Sequence, residues 1–193
     1  NNLSIDNLLN DFGFFETTGI ENIFRSFIHF ILKRSDISLL ELYKLSQIKL
    51  SVKVYNTSLQ KIEYISHDTH PDMSIITLAK MTTAIPFLFK PVIYDNYIYI
   101  DGGTKGSLPI ELCDHDNYIA IKIHSNMIKK NKNILLADYL LSFLCSSDPV
   151  VSNNDNIINL YPKLGFDFDI EKTKIIEIID NGYNETIKFL HKS

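Results

Sequence analysis

The residues with the clearest chemical potential are Asp101, Gly102 and Gly103, which directly follow a predicted strand over Tyr97–Ile100. In open α/β sheets ligands bind beyond the carboxyl ends of the strands, so the Asp101 side chain is expected where chemistry takes place. The two glycines permit either a turn with positive φ or a close backbone approach that a Cβ would prevent. An aspartate in this position could accept a proton from a nucleophile or hold a metal ion. An Asp-Gly turn without catalytic meaning is the alternative that these three residues leave open.

The Asp-Gly-Gly sequence stands within a longer pattern of short motifs. In chain order these motifs are Ala84-Ile85-Pro86, Phe89, Pro91-Val92, a hairpin over Tyr94–Ile100, and Leu108-Pro109 after the glycines. The combined pattern resembles the patatin-like phospholipase family. Weaker similarity covers most of the chain, with Ile37–Val54 similar to the family's helix and following strand, Leu59–Asp72 to its hairpin, and Phe168–Leu190 to its closing helices.

The resemblance implies a lipid acyl hydrolase with a Ser/Asp dyad. In the family the nucleophilic serine lies in a Gly-x-Ser-x-Gly elbow, and the aspartate that matches Asp101 accepts the serine proton without an intervening histidine. A glycine-rich loop supplies N–H donors for the developing oxyanion. The implied substrates are phospholipids or neutral lipids, which implies peripheral contact with a membrane as well. Neither a cofactor nor a metal ion is implied.

The sequence departs from the family pattern in one major respect. It contains no Gly-x-Ser-x-Gly and no glycine-rich oxyanion loop. Both precede the matching region in the family, so we expect this chain to be the carboxyl-side portion of a longer protein and to be inactive alone. Smaller departures are Thr104–Ser107, where the family often has asparagines, and Thr82-Thr83, where small residues are common.

Two other clusters contain metal-ligating residue types, namely His67-Asp68-Thr69-His70 and Cys113-Asp114-His115-Asp116. Zinc normally takes three or four protein ligands with an ordered outer shell. Because neither cluster offers a convincing set, we interpret them as a polar loop and a connecting turn, and we predict no metal site. Cys145 lacks a paired histidine and aspartate and is not expected to be a nucleophile. His29 and His124 lie in apolar stretches, as packed or surface histidines do.

The composition excludes several classes of protein. The net charge of -4 argues against a nucleic-acid-binding surface, which needs clustered lysine and arginine. Cys113 and Cys145 are too few for a disulfide framework and favour a reducing compartment. The longest apolar window, Ile23–Leu32, is too short to span a bilayer. We therefore expect a cytoplasmic protein that can be peripheral at membranes.

Hydrophobic periodicity predicts the elements that position the site. Helices are predicted over Ile20–Lys33, Leu135–Ser146, Glu171–Asp180 and Glu185–Leu190, and Asn181-Gly182 separates the last two. Another helix is predicted to begin at a capping box formed by Ser38 and Glu41 and to end near Leu45. A further helix is predicted from Asp72 or Ser74 to Thr83, and a short one after Pro109. Strands are predicted over Ile48–Val54, Lys61–Ser66, Val92–Tyr94, Tyr97–Ile100, Tyr118–Ile123 and Ile157–Leu160. The apolar stripe of the first helix, Ile20–Leu32, is expected to pack on the core, with contact to a lipid interface as the alternative.

Alternation of helices and strands predicts an α/β fold, a layered sheet flanked by helices. By the resemblance, residues 1–193 form a single partial domain that is incomplete at its amino-terminal side. The rival interpretation is a non-catalytic lipid-binding or interaction module that retained Asp101, Gly102 and Gly103 for the geometry of their turn.

Overall fold

The computed structural model describes residues 5–106, 108–113, 118–124, 156–161 and 171–191. The chain divides into two compact units, Asn1–Lys105 and Gly106–Ser193. Helices and short sheets occur in both units, so the predicted α/β class is confirmed.

The first unit contains the helices and strands that carry the Asp-Gly-Gly sequence. Its helices are α1 (Ile5–Asp11), α2 (Thr18–Leu32), α3 (Leu39–Ser46) and α4 (Ile75–Thr83). Its strands are β1 (Gly13–Phe15), β2 (Ser51–Asn56), β3 (Lys61–Ser66), β4 (Phe87–Phe89), β5 (Val92–Tyr94) and β6 (Tyr97–Asp101). Four of these strands form an antiparallel sheet in the order β3-β2-β6-β5, and β1 pairs with β4 in a separate parallel pair.

Side-chain caps set the starts of α3 and α4. The predicted capping box is confirmed: the Glu41 N–H donates to Ser38 Oγ at 3.2 Å, and the Ser38 N–H donates to Glu41 Oε2 at 3.0 Å. Of the two candidates for α4, Ser74 is the cap, because its Oγ accepts the N–H groups of Ile76 and Thr77. Both helix starts therefore follow from local hydrogen bonding.

Strand β2 begins three residues later than predicted. Gln47 ends α3 in a left-handed conformation, and Ser46 Oγ accepts the Ile48 N–H at 3.1 Å, which keeps the chain in a turn. The partner strand β3 pairs only as far as Ser66 opposite Ser51. Ile48 is consequently outside the ladder and 71% exposed, although its apolar alternation suggested a strand.

The core of the first unit lies between α4 and the four-stranded sheet. Its fully buried members come from β2, β3, β6, α3, α4 and the loop before α4, and they are Leu39, Val54, Ile65, Met73, Leu78, Met81 and Tyr99. A second small cluster, Ile28, Ile37 and Ile76, packs α2 against α4. Burial of these side chains stabilises the fold by roughly 1.5–3 kcal/mol each relative to exposure, and it fixes β6 beneath α4.

The expectation that the whole apolar stripe of α2 packs on the core is wrong in the described structure. The buried side of α2 carries Ile28, and also Glu21, which forms a 3.3 Å ion pair with Lys80 of α4. Phe27 and Phe30 lie on the other side and are 62% and 76% exposed. Helix α2 therefore packs against α4 through one edge of its apolar stripe and not through the centre of that stripe.

The parallel pair β1–β4 was not predicted from the sequence. Strands of three residues give almost no periodic signal, and parallel pairing joins Gly13 with Phe87 and Phe15 with Phe89 across a long sequence separation. Lys90 supports the pair, since its Nζ forms ion pairs with Asp11 and Glu16. This pairing places the chain that leaves α4 beside the first strand of the unit.

The second unit contains one parallel strand pair and one long helix among its described residues. These elements are β7 (Ala120–Ile123), β8 (Ile157–Leu160) and α5 (Lys172–Leu190), preceded by a 3-10 turn over Ile110–Leu112 after Pro109. The strands and the short turn were predicted, with β7 starting two residues later. The predicted helix over Leu135–Ser146 lies outside the described residues.

The predicted break at Asn181-Gly182 is wrong, because α5 continues through both residues. Gly182 does not adopt a left-handed conformation, and the Thr186 hydroxyl donates to its carbonyl at 2.8 Å. A glycine inside a helix costs about 1 kcal/mol relative to alanine. The apolar pattern on either side is long enough to outweigh that cost.

We expect Gly182→Ala to raise the free energy of unfolding by about 0.5–1 kcal/mol, because alanine lowers the entropy of the unfolded chain and has the higher helix propensity. Apart from the backbone of the helix itself, no heavy atom of the described residues lies within 4 Å of the added Cβ, so no steric penalty from them opposes the gain. Chemical denaturation measures the change. Gly19→Ala, in the first turn of α2 and equally unhindered, is the matched control. A loss of stability in Gly182→Ala alone would indicate a helix broken at that residue.

Candidate active site

Strand β6 places Asp101 at the end of the four-stranded sheet. Asp101 is the last residue of the strand and pairs with Val54 of β2, while Tyr99, two residues earlier, is buried in the core. The Asp101 N–H donates to the carbonyl of Ala84, just beyond α4, at 3.1 Å. The strand register and this hydrogen bond together locate the aspartate, and they join it to the Ala-Ile-Pro segment.

Gly102 is required by a close approach of two backbones. A Cβ on Gly102 would lie 2.4 Å from the carbonyl oxygen of Lys53 in β2 and 2.5 Å from its carbonyl carbon, distances that no side chain tolerates. The φ angles of Gly102 and Gly103 both lie outside the left-handed region. Of the two roles that the sequence left open for the glycine pair, the structure therefore assigns close approach to Gly102.

The turn after the strand holds the carboxylate. Residues Gly102–Lys105 form a single 3-10 turn in which the Gly103 N–H donates to Asp101 Oδ1 at 2.7 Å. The Thr104 hydroxyl donates to the Asp101 carbonyl at 2.8 Å, which ties the turn to the strand end. Among the described residues nothing donates to Asp101 Oδ2. One carboxylate oxygen is thus fixed by the backbone, and the other is available as an acceptor.

Burial controls the electrostatics of this carboxylate. The Asp101 side chain is half-buried, and this desolvation raises its pKa above the ordinary value, while the hydrogen bond from Gly103 opposes the rise. Within the described part of the chain no lysine, arginine or histidine forms an ion pair with Asp101. The site is therefore neither a salt bridge nor a fully solvated turn. A carboxylate with these properties is suited to accept a proton.

The two clusters with metal-ligating residue types do not form a site in the described chain. The His67 ring stacks on Tyr43 with centroids 3.8 Å apart, and its Nε2 lies 3.2 Å from Asp68 Oδ1. His70 instead contacts Thr69, with its Nδ1 3.0 Å from the hydroxyl oxygen. Among the described residues, no group of three histidine, cysteine, aspartate or glutamate side chains is arranged to hold a metal ion.

The other singled-out residues that the structure describes have only local surroundings to report. Cys113 is exposed, whereas residues 114–116 and Cys145 fall outside the described residues. His29 is exposed on α2. His124 stacks on Tyr161 at 4.4 Å, and its Nε2 lies 2.7 Å from Asn159 Oδ1.

Sequence reasoning missed the residues that support the aspartate from β2. Lys53 Nζ donates to the Lys105 carbonyl at 3.1 Å, and Lys105 Nζ lies 4.7 Å from the centre of the Tyr55 ring. Lys53 and Tyr55 were treated only as polar positions in an alternating strand. Their spacing of two residues, which places both on one face of β2, was the available signal.

Long apolar helices are not found in the described residues. No helix there combines the length and the hydropathy needed to cross a bilayer.

The chain matches one family model and one viral protein. The family model described as patatin-like phospholipase matches residues 1–114, a range that includes Asp101, Gly102 and Gly103. The "Probable lipid hydrolase 463L" of Invertebrate iridescent virus 6 is 35% identical over 88 residues, which are 46% of this chain and 28% of that protein.

A solved structure shows the same fold. The crystal structure of VipD from Legionella pneumophila matches 83% of this chain and 36% of its own chain, with a TM-score of 0.59 and 20% identity. The present chain therefore spans less than a third of the viral relative's length and little more than a third of VipD.

We expect Gly102→Ala to lower the free energy of unfolding by about 1–3 kcal/mol, the usual penalty for an overpacked position. The added methyl group would press on the backbone of Lys53, which cannot rotate away. Gly103→Ala is the matched control. Its Cβ would lie 3.1 Å from Asp101 Oδ1, a side-chain atom that can yield. Thermal and chemical denaturation compare the variants, and equal stability of the two would contradict the close approach at Gly102.

Proposed function

The chain belongs to the patatin-like phospholipase family, and on that basis we propose that it contributes the general base of a lipid acyl-ester hydrolase. In this proposal Asp101 accepts the proton of a serine supplied by polypeptide outside the given sequence. Gly102 and Gly103 are the turn residues that hold the carboxylate. The observation that supports it most directly is a half-buried aspartate, fixed through Oδ1 by the Gly103 N–H, with which no lysine, arginine or histidine of the described residues forms an ion pair.

The proposed reaction has two stages, acylation of the serine and hydrolysis of the acyl-enzyme. The serine Oγ–H transfers its proton to Asp101 Oδ2 as the oxygen attacks the ester carbonyl, and the tetrahedral intermediate then expels the alcohol, which takes the proton from Asp101. A water molecule next gives a proton to Asp101 and attacks the acyl-enzyme. Collapse of the second intermediate returns the proton to the serine and releases the fatty acid. Asp101 acts as base and acid in turn.

Burial favours this role for Asp101. In bulk water an aspartate is too weak a base to deprotonate a hydroxyl group efficiently, whereas desolvation raises its pKa and thus its proton affinity. The Gly103 N–H opposes the rise, because a hydrogen bond to the carboxylate favours the ionised form.

The substrates in this proposal are phospholipids or neutral lipids, and membrane contact is part of it. Phe27 and Phe30 on the exposed side of α2 are of the kind that enters the interfacial region of a bilayer. We assign the protein to the cytoplasm, peripheral at membranes, and treat residues 1–193 as one partial domain of the family. Neither a cofactor nor a nucleic-acid partner is included.

We expect Asp101→Asn and Asp101→Ala, made in the protein encoded by the whole reading frame, to lower the turnover of a p-nitrophenyl acyl ester by roughly 10²- to 10⁴-fold, the contribution of a positioned general base. Asparagine keeps the acceptor for Gly103 but binds no proton. Asp95→Asn is the matched control, since Asp95 is exposed in the β5–β6 turn and asparagine tolerates its left-handed conformation. Undiminished hydrolysis by the Asp101 variants would remove the dyad assignment and favour the rival, a lipid-binding or interaction module.

The pH dependence of hydrolysis should report the same carboxylate. Asp101 must be ionised to act as a base, so kcat/KM falls as the pH drops through its pKa. Because burial raises that pKa, the acid limb is expected above the range of an ordinary aspartate. A pH-rate profile of the wild-type protein measures it. An acid limb in the ordinary aspartate range would show that the buried carboxylate does not control the reaction.

A further inference from the structure

We propose that Lys53 is a positioning residue that holds the Gly102–Lys105 turn and thereby fixes the orientation of the Asp101 carboxylate. This inference rests on the proposed function of Asp101 as a general base. It concerns a lysine that lies on another strand and reaches the aspartate only through the turn.

Lys53 contacts the turn at both of its ends. Its side-chain Cγ would lie 2.8 Å from a Cβ on Gly102, so the aliphatic part of Lys53 covers the first residue of the turn. Its Nζ donates to the carbonyl of Lys105, the last residue of the turn, at 3.1 Å. One side chain thus spans the whole 3-10 turn.

A second contact from the same strand face supports this arrangement. Tyr55, two residues after Lys53 in β2, lies with its ring beneath the ammonium group of Lys105 at 4.7 Å from the centroid. Alternate residues of a strand point to the same face, which explains why both contacts reach one turn. The carbonyl and the side chain of Lys105 are therefore each held by β2.

Movement of the turn would move the carboxylate directly. The Gly103 N–H within the turn is the donor to Asp101 Oδ1, and the Thr104 hydroxyl is the donor to the Asp101 carbonyl. Because the Gly103 N–H is the one hydrogen-bond donor to the carboxylate among the described residues, the orientation of the carboxylate follows the position of Gly103. A misplacement of reacting groups by about 1 Å can reduce a rate by about 10²-fold.

Lys53 acts on Asp101 through its contacts with the turn. Burial raises the pKa of Asp101, and the hydrogen bond from Gly103, a residue of that turn, lowers it. Arginine keeps both the hydrogen-bond donor and the aliphatic stem, so Lys53→Arg should hold the turn as lysine does. Methionine keeps only the aliphatic stem, so Lys53→Met should not hold it.

The test compares Lys53→Met with Lys53→Arg in the protein encoded by the whole reading frame. The Asp101 titration is followed by carbon NMR of labelled aspartate, and exchange of the Gly103 amide is followed in the same samples. Lys53→Met is expected to raise the Asp101 pKa and to speed the exchange, because the bond that lowers the pKa loosens while burial persists. Lys53→Arg should restore both. Lys61→Met, on the neighbouring strand β3, is the matched control.

Kinetics supplies the second measurement. We expect Lys53→Met to lower kcat by about tenfold, the equivalent of roughly one hydrogen bond, with KM unchanged and the acid limb moved to higher pH. Tyr55→Leu, which loosens the turn at its other contact, should shift the Asp101 titration in the same direction even if Lys53→Met fails to fold.

The outcomes separate this inference from the proposed function. An Asp101 titration and a kcat that are unchanged in Lys53→Met, alongside an inactive Asp101→Asn, would overturn the role of Lys53 and leave the dyad intact. A shift of the Asp101 titration in Lys53→Met, alongside a wild-type protein that hydrolyses no ester, would support the role of Lys53 and overturn the dyad. Failure of Lys53→Arg to restore the titration would show that the spanning contact is not the cause.

Discussion

Gly102 and Lys53 approach each other so closely that no Cβ fits between their backbones, and this contact determines where the end of β6 can lie. Because Asp101 precedes Gly102, the same contact fixes the direction in which the aspartate leaves the sheet. The register Val54 opposite Asp101 and the buried ring of Tyr99 then hold the strand from behind. The core fixes the position of Asp101, and the turn over Gly102–Lys105 fixes the orientation of its carboxylate.

The electrostatic setting distinguishes Asp101 from the carboxylates that stabilise the fold. Glu21 has its pKa lowered by hydrogen bonds from Arg25 and Lys80, and Asp68 has its pKa lowered by Lys49. Burial raises the pKa of Asp101, and no cation within the described part of the chain pairs with it. The partners of Glu21 and Asp68 favour the ionised form of each carboxylate, whereas burial disfavours the ionised form of Asp101. A perturbed group beside a strand end is the usual mark of a functional site.

Local signals predicted much of the fold, and long-range contacts account for the rest. The capping box at Ser38 and the hairpin around Asp95-Asn96 were predictable, because each is encoded within a few residues. The parallel pairing of Gly13 with Phe87 and the role of Lys53 join residues far apart in the chain, and no local pattern encodes them. The predicted helix break at Asn181-Gly182 was wrong for the opposite reason. Its strong turn preference is local, and the long helix around it overrides that preference. The position of Asp101 in the family pattern was recognisable, but its burial depends on packing that only the folded chain displays.

The hydrogen bond from the Asp101 N–H to the Ala84 carbonyl closes the intervening chain into a loop of fixed length. Inside this loop, Pro86 is followed by Phe87 in a left-handed conformation, and the β5–β6 connection is a two-residue turn with both residues left-handed. Within the β5–β6 hairpin, an inserted or deleted codon would have to be absorbed at Asp95-Asn96, since inside either strand it would shift the register of their pairing. During evolution, length variation of this hairpin among relatives should therefore collect at its tip, while its strands change only by substitution.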